Sequence, residues 1–312
     1  MITPARDRYA SRSDRGAAIV QRHDPVVYGR PDDAPASGLD TTQLASYERD
    51  GFIMLKNFFS AQETAALMHE VQRLTVDPAI RRREEAITER GSDAVRSVFM
   101  VHKLSKVLAR LSQDMRLVNI ARQILGSDVY IHQSRANIKP GFKGKEFYWH
   151  SDFETWHVED GMPAMRALSC SVLLTDNNAS NGPLMVMPGS HKQFVSCVGE
   201  TPEEHYKASL KKQEYGVPDT LSLKLLADQG GVETLMGPAG SVVFFDCNTM
   251  HGSNSNISPS PRSNVFMVYN SVDNALGSPK FGLTPRPEFI ATRESFAAIK
   301  PVEPGYLRAV GK

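Results

Sequence analysis

A chain of 312 residues that is 41% hydrophobic has enough apolar residues to bury one large core. Its 36 basic and 35 acidic residues leave a formal net charge of +1, so we expect neither nucleic acid nor a membrane surface as a partner. The three cysteines are widely spaced and form no Cys-x-x-Cys pair, which disfavours a disulfide framework and favours a reducing cytoplasm. No apolar segment suits a signal peptide or a membrane helix. Function must therefore come from a local site.

The first part of the chain predicts an arm followed by helices. Residues 1–38 are rich in Arg, Asp, Pro, Gly and Ser, which predicts an extended lead-in without a core of its own; residues 39–312 then predict a single domain. Ser60-Ala-Gln-Glu63 is a capping box followed by apolar residues at helical spacing, so an amphipathic helix should begin there. A second helical zone should run over about 104–125, with an interruption near Asp114 and an end at Gly126.

From residue 128 onward short apolar runs predict strands. Helices followed by many short strands predict a jelly-roll barrel, or double-stranded β-helix, with helices flanking one face. A polar insertion, 199–237, interrupts the strands and should form a helix and loops at or beside the barrel mouth. A lid, a dimer contact and a surface elaboration are equally compatible with it. The predicted strands are 129–138, 166–174, 184–187, 241–245 and 265–269.

Three residues predict a metal site. His150 and Asp152 form a His-x-Asp pair, and in an extended segment residues two apart project to the same side. His251 follows an apolar run, 240–247, that should be a strand delivering the histidine at its end. Two histidines and one carboxylate on one face of an octahedral ion leave three positions open, as in non-haem Fe(II) oxygenases.

Two further features support that interpretation. Arg262 stands at the head of the last predicted strand, where its guanidinium can grip a carboxylate through two parallel hydrogen bonds. A dicarboxylate cosubstrate that chelates iron needs such an anchor at its far end. The segment 181–191, Asn-Gly-Pro-Leu-Met-Val-Met-Pro-Gly-Ser-His, has the pattern of a turn, a strand and a second turn.

Together, His150-x-Asp152, the Gly182–His191 segment, His251 and Arg262 resemble the phytanoyl-CoA hydroxylase superfamily of Fe(II)/2-oxoglutarate dioxygenases. The nearly unbroken stretch 149–166, Trp-His-Ser-Asp-Phe-Glu-Thr-Trp-His-Val-Glu-Asp-Gly-Met-Pro-Ala-Met-Arg, is more specific: together with 133–139 it resembles the ectoine hydroxylase subfamily. The resemblance covers roughly Thr41 to the C-terminus.

The resemblance implies hydroxylation of ectoine, a compatible solute, to 5-hydroxyectoine. Fe(II) would be the metal and 2-oxoglutarate and O2 the cosubstrates, with release of succinate and CO2; it also implies a homodimer. An intact Asp152 favours hydroxylation over halogenation, because iron halogenases of the superfamily lack this carboxylate. The candidate metal ligands are His150, Asp152 and His251; the 2-oxoglutarate candidates are Lys139, Arg262, Ser253, Asn137, Tyr148 and Phe99; and the substrate candidates are Gln133, Trp156, Thr155 and Arg135.

The reasons for these assignments differ. The resemblance assigns Lys139 and Gln133, whereas Asn137 would share their face of one strand. The indole of Trp156 can hold the amidinium cation of ectoine. For His157 and His191 structural roles are expected. The alternatives left open are a dioxygenase of the same fold that hydroxylates another small polar metabolite, and a non-oxidative metal-binding jelly-roll protein.

Overall fold

A computed structural model describes residues 7–12, 16–30, 35, 37–88, 94–202, 206–209, 216–294 and 296–309. Within these ranges no helix is both long and apolar enough to cross a bilayer. The strands are β1 Ala18–Gln21, β2 Phe52–Leu55, β3 Ala86–Thr88, β4 Val95–Phe99, β5 Val129–Lys139, β6 Phe147–His150, β7 Ala167–Leu173, β8 Leu184–Val186, β9 Gln193–Ser196, β10 Glu233–Thr234, β11 Val242–Asp246, β12 His251–Ser253 and β13 Arg262–Ser271. The helices are α1 Thr41–Asp50, α2 Ala61–Val76, α3 Pro78–Arg81, α4 Val101–Leu104, α5 Lys106–Ser112, α6 Met115–Leu125, α7 Asp152–Glu159, α8 Tyr206–Ser209 and α9 Thr220–Gly230.

Two antiparallel sheets build the barrel. The larger has seven strands in the order β2-β11-β7-β13-β5-β4-β3, and the smaller has four in the order β10-β8-β12-β6. One apolar cluster joins Phe245 and Phe266 of the large sheet to Leu184 and Val186 of the small sheet. The two sheets therefore enclose a common interior, and the expected jelly-roll fold is confirmed.

The helices cover the outer face of the large sheet. Along β11, Val243 and Phe245 belong to the interior cluster, whereas Val242 and Phe244 belong to the cluster shared with the helices. Leu67 of α2 is fully buried in that second cluster. Successive side chains of a strand alternate between its two faces, which is why an unbroken apolar run fits this strand. Full burial of each such side chain stabilises the fold by roughly 1.5–3 kcal/mol.

The helix ends lie where the sequence predicted them. Ser60 and Glu63 make both hydrogen bonds of the capping box at the start of α2. Asp114 separates α5 from α6 and caps α6, accepting a hydrogen bond from the main-chain N–H of Arg116. Gly126 ends α6 in the left-handed conformation, with φ of 61°. Each predicted strand is also present, with bounds that differ by a few residues at most.

The N-terminal arm packs along the domain. Its strand β1 pairs with β9, forming a separate two-stranded sheet. Tyr9 and Arg12 are almost fully buried, and both contact α7. Tyr9 of the arm thus belongs to an apolar cluster that also contains Phe153 of α7. Residues 1–6, 13–15, 31–34 and 36 of the arm lie outside the described residues.

The C-terminal part of the 199–237 insertion packs against the barrel and adds a strand to its smaller sheet. Leu223 and Leu226 of α9 join a cluster with Met187 and Met250, and β10 pairs with β8. The expected helix is therefore present. Residues 203–205 and 210–215 of the insertion lie outside the described residues, and a lid, a dimer contact and a surface elaboration all stay open as predictions.

Candidate metal centre and adjoining cavity

The smaller sheet and α7 bring His150, Asp152 and His251 together. His150 ends β6 and His251 begins β12, and the two residues are direct partners across the antiparallel pair. The Nε2 atoms of His150 and His251 lie 3.8 and 4.0 Å from Oδ1 of Asp152. All three potential ligand atoms fall within 4.8 Å of one another. One cation can therefore contact all three.

Hydrogen bonds orient these side chains towards a common point. Nδ1 of His150 faces the carbonyl of Tyr148 at 2.8 Å, and Nδ1 of His251 faces that of Thr249 at 3.0 Å. An N–H at each Nδ1 leaves the Nε2 lone pairs for a metal. The hydroxyl of Ser169 donates to Oδ2 of Asp152 at 3.2 Å, leaving Oδ1 directed at the histidines.

The protonation state also suits metal binding. Burial, followed by the proximity of His251, lowers the pKa of His150 to about 3, so the ring is neutral at physiological pH. Two imidazoles and one carboxylate on one side of an ion are the donor set of the Fe(II) facial triad. The residues present therefore fit Fe(II).

The prediction that one extended segment carries both His150 and Asp152 is wrong. The strand ends at His150, and Asp152 is the first residue of α7, which Ser151 caps by accepting a hydrogen bond from the N–H of Glu154. Ser151-x-x-Glu154 matches the sequence signature of a helix start, so this signal was present in the sequence. His251 is likewise not at the end of the 240–247 strand, because a turn separates it from β11 and it begins a strand of its own.

A cavity adjoins the two histidines and holds many of the predicted cosubstrate residues. Its walls include five cationic side chains: Arg96 on β4, Arg135 and Lys139 on β5, Arg262 on β13 and Lys145 on the loop before β6. The lining residues among those predicted are Phe99, Arg135, Asn137, Lys139, His150, His251, Ser253 and Arg262. Lining residues that sequence reasoning missed are Arg96, Ser97, Ile138, Lys145, Phe147, Leu184, Gly252 and Phe266.

Arg262 and Lys139 face each other across the β5–β13 pair. The Nε of Arg262 is buried and has no hydrogen-bond partner among the described residues, and burial lowers the pKa of this guanidinium to about 10. Lys139 donates to Oγ of Ser253 at 2.8 Å. A buried cation with an unsatisfied donor favours an anionic partner, so this wall fits the carboxylate of a dicarboxylic acid.

Residues 47–264 of the sequence match the family model of phytanoyl-CoA dioxygenase (PhyH). The chain is 72% identical to the ectoine dioxygenase of Bordetella bronchiseptica, across 97% of this chain and 98% of that protein. The chain belongs to the phytanoyl-CoA dioxygenase family. The ectoine dioxygenase of Stutzerimonas stutzeri is 56% identical, across 93% of this chain and 95% of that protein. The resemblance to ectoine hydroxylases inferred from the motifs is confirmed.

Two solved structures superpose on nearly the whole chain. EctD from S. alaskensis with 2-oxoglutarate and 5-hydroxyectoine has a TM-score of 0.86 and 49% identity, covering 96% of this chain and 99% of that chain. The same protein with bound Fe gives a TM-score of 0.85 and 48% identity, with the same coverage of both chains.

Tyr148 lies outside the cavity of this family member. The pairing of β6 with β12 shifts between His150–His251 and Phe147–Ser253, which places one extra residue on β6 as a β-bulge. The bulge interrupts the alternation of side chains between the two faces of β6, so Phe147 lines the cavity. Its ring centroid lies 5.0 Å from that of His150. The side chain of Tyr148 is instead 45% exposed. No turn residue in this segment signals the bulge.

Three predicted substrate residues lie away from the cavity wall. The amide of Gln133 donates to the carbonyl of Ile290 and accepts a hydrogen bond from Arg135, each at 2.7 Å. Thr155 accepts a 3.3 Å hydrogen bond from Arg12 of the N-terminal arm. The indole of Trp156 is 4% exposed and meets the ring of His132 edge to face, with centroids 4.9 Å apart.

The two other histidines of the motifs have structural environments, as expected. His157 lies between the carbonyl of Met162 and the carboxylate of Asp7, at 2.7 and 3.0 Å. His191 is buried in a short helical turn, with Nε2 3.2 Å from the carbonyl of Glu48. Neither belongs to the metal-binding group.

Proposed function

We propose that this protein hydroxylates ectoine to 5-hydroxyectoine and that it uses Fe(II), 2-oxoglutarate and O2. The observation that carries the proposal is the convergence of His150, Asp152 and His251 beside a cavity walled by Arg262 and Lys139. Full-length similarity to named ectoine dioxygenases supports the substrate.

The iron, when bound, supplies O2 activation coupled to decarboxylation of 2-oxoglutarate. One oxygen atom enters succinate, the other becomes the hydroxyl of the product, and one carbon leaves as CO2. The chain itself holds and orients the reactants. His150, Asp152 and His251 would hold the iron on one face, leaving the opposite face for cosubstrate and O2. Arg262 and Lys139 would fix the distal carboxylate of 2-oxoglutarate.

The remaining site residues divide into two groups. Phe99, Asn137 and Ser253 line the cavity and would shape the cosubstrate pocket. Tyr148 would contribute to the site only through its main-chain carbonyl, which orients the ring of His150. Gln133, Arg135, Thr155 and Trp156 would position ectoine, Arg135 from the cavity wall and the others from the layer behind it. Ectoine carries a delocalised cation, which an indole face attracts.

The test is a single-turnover assay. Protein reconstituted anaerobically with Fe(II), 2-oxoglutarate and ectoine is exposed to air, and 5-hydroxyectoine and succinate are measured together. Equal amounts of the two products are expected. Succinate formation that ectoine does not stimulate would favour another substrate, and no O2-dependent succinate would favour a non-oxidative role.

We further propose that residues 39–312 act as one domain with 1–38 as its arm, and that the enzyme is a cytoplasmic homodimer. The clustering of arm side chains on α7 supports the first statement. Light scattering of the purified protein tests the second, because a monomer at working concentration would contradict it. Fractionation of the native host tests the location.

A further inference from the structure

Arg12 of the N-terminal arm is buried in a cluster of acidic side chains from α7. Its guanidinium binds Glu154 through two contacts, Nε–Oε1 at 3.0 Å and Nη2–Oε2 at 2.7 Å. Its Nη1 binds Oε1 of Glu159 at 2.5 Å. All three side chains are at most 2% exposed. Bidentate contacts of a buried guanidinium fix position more narrowly than a surface ion pair does.

The same guanidinium also reaches the segment that follows β9. Nη1 of Arg12 lies 2.6 Å from Oγ1 of Thr201. A Cβ placed on Gly216 would come within 2.6 Å of Nη2 of Arg12 and 2.4 Å of the Glu154 carboxylate. Gly216 therefore closes directly over the ion pair, with no room for a side chain. Arg12 thus links the N-terminal arm to α7 and to the segment between β9 and α9, where it lies near Thr201 and Gly216.

The backbone at Arg12 indicates that this placement is enforced. Its φ is 52°, in the left-handed region that is unfavourable for a residue with a Cβ. Neighbouring contacts hold it there: its N–H donates to the carbonyl of Cys197, and Ser11 donates to Oε1 of Glu154 at 2.6 Å. Such strain persists only where the surroundings determine the conformation.

Helix α7 carries both a metal ligand and an expected substrate residue. Asp152 is its first residue, and Trp156 lies one helical turn later on the same side. Glu159 and Asp160 at its C-terminal end oppose the helix dipole, so they need cations. Arg286 pairs with Asp160 at 2.6 Å, and Arg12 pairs with the two glutamates. Arg286 also lies 3.5 Å from Glu159, so removal of Arg12 would leave the buried carboxylate of Glu154 without the counter-charge that it now has, and the helix would have to move to rehydrate it.

We propose that Arg12 is a positioning residue for the iron site: through Glu154 and Glu159 it holds α7 in the register that aims Asp152 at the metal and Trp156 at the substrate. The inference rests on the proposed function for the substrate, but its effect on iron retention is independent of which substrate is hydroxylated. Arg12 itself touches neither metal nor substrate.

The test compares Arg12→Met, which keeps length and removes charge, with Arg12→Lys and Arg116→Met. Arg116 is the matched control, because it also bridges two carboxylates, Asp114 and Glu63 at 2.8 and 2.9 Å, but belongs to the helical layer. Measurements on each folded protein are thermal stability, Fe(II) retention against a chelator, and 5-hydroxyectoine formed per succinate.

Arg12→Met is expected to release Fe(II) faster, and its hydroxylation rate should fall on the order of tenfold or more because small misplacements of reacting groups are costly. Succinate should still form, but in this variant in excess of 5-hydroxyectoine. Arg12→Lys should lie between Arg12→Met and the wild type. Arg116→Met should lower stability alone, with wild-type iron retention and product ratio.

Unchanged iron retention and product ratio in Arg12→Met, with only a stability loss like that of Arg116→Met, would overturn the proposal. If Arg12→Met does not fold, iron retention and product ratio are compared between Arg12→Lys and the wild type. Wild-type values of both in Arg12→Lys would again overturn the proposal. Wild-type protein that retains iron yet makes no 5-hydroxyectoine would instead refute the proposed substrate, and the chelator comparison would still decide the role of Arg12.

Discussion

At the scale of single residues, hydrogen bonds select which atoms of the triad can reach iron. Main-chain carbonyls occupy Nδ1 of both histidines, and Ser169 occupies one oxygen of Asp152. Three atoms remain, one from each side chain. Such outer contacts typically change metal affinity by about 10–100-fold when they are removed.

We expect His150→Ala, Asp152→Ala and His251→Ala each to abolish turnover with little change in fold, because two ligands are too few to hold Fe(II) on one face. Iron content after desalting and hydroxylation rate are the measurements. Ser169→Ala is the graded control, with weakened but measurable iron binding. Iron-dependent activity well above background in one alanine variant would remove that residue from the ligand set.

Arg262→Lys tests the carboxylate anchor. Lysine retains a positive charge but loses the planar fork, so the apparent affinity for 2-oxoglutarate should fall while iron binding stays near wild type. Titration of 2-oxoglutarate into the anaerobic Fe(II) protein measures the first quantity, and iron content after desalting measures the second. If the affinity does not change, Lys139, on the opposite strand, would be the principal anchor.

At the scale of elements, the end of α6 depends on one glycine. Gly126 has φ of 61°, and a Cβ there would lie 2.7 Å from the main chain of Tyr28 and 2.9 Å from that of Gly29. These contacts are all with main-chain atoms, so no side-chain rotation can relieve the clash. The end of the helix and the arm segment beside it are therefore fixed together.

Gly126→Ala should destabilise the protein by about 1–3 kcal/mol, the sum of left-handed strain and displacement of the arm. Gly189→Ala is the matched control: its φ is 79° but nothing lies within 4 Å of an added Cβ, so it should show the strain alone. Urea unfolding measures both. Equal losses for the two variants would show that the clash with Tyr28 is relieved at no cost.

Regular elements were predictable because local signals and tertiary burial agree. The run ending in Phe245 is apolar on both faces because β11 is covered on both, and the Ser60–Glu63 box begins α2 where it should. The metal ligands were found by residue type, but the helix that carries Asp152 was missed. The bulge that turns Phe147 inward arises from pairing with a strand about a hundred residues later, which local sequence does not encode.

At the scale of the whole molecule, the arm attaches distant parts of the chain to one another. The carboxylate of Asp7 contacts Nε2 of His157 on α7 and Nζ of Lys280, each at 3.0 Å. The hydrogen bond from His157 is the principal reason that the pKa of Asp7 lies well below its ordinary value of 3.8. A lowered carboxyl pKa stabilises the fold above that ordinary value, and the contribution is lost as pH falls through the lowered pKa.

Asp7→Asn should therefore lower the free energy of unfolding by roughly 0.5–1.5 kcal/mol near neutral pH. The difference in unfolding free energy between the wild type and Asp7→Asn should shrink only below about pH 4. There Asp7 becomes protonated and is then as neutral as the asparagine. Urea unfolding across pH 3–7 measures it. Asp228→Asn, which removes an exposed pair with Lys224, should cost at most about 0.5 kcal/mol. A constant difference down to the lowest pH would contradict the linkage.

The direct pairing of His150 with His251 also sets an order of events in biosynthesis. The triad spans positions 150 to 251, so a nascent chain has no complete ligand set until His251 has been synthesised. The two histidines then converge only after β6 and β12 have paired, a contact that closes a loop of about a hundred residues. We therefore expect iron to bind once β6 and β12 have paired, so that metal scarcity in the cell would yield folded apoprotein that can still be loaded.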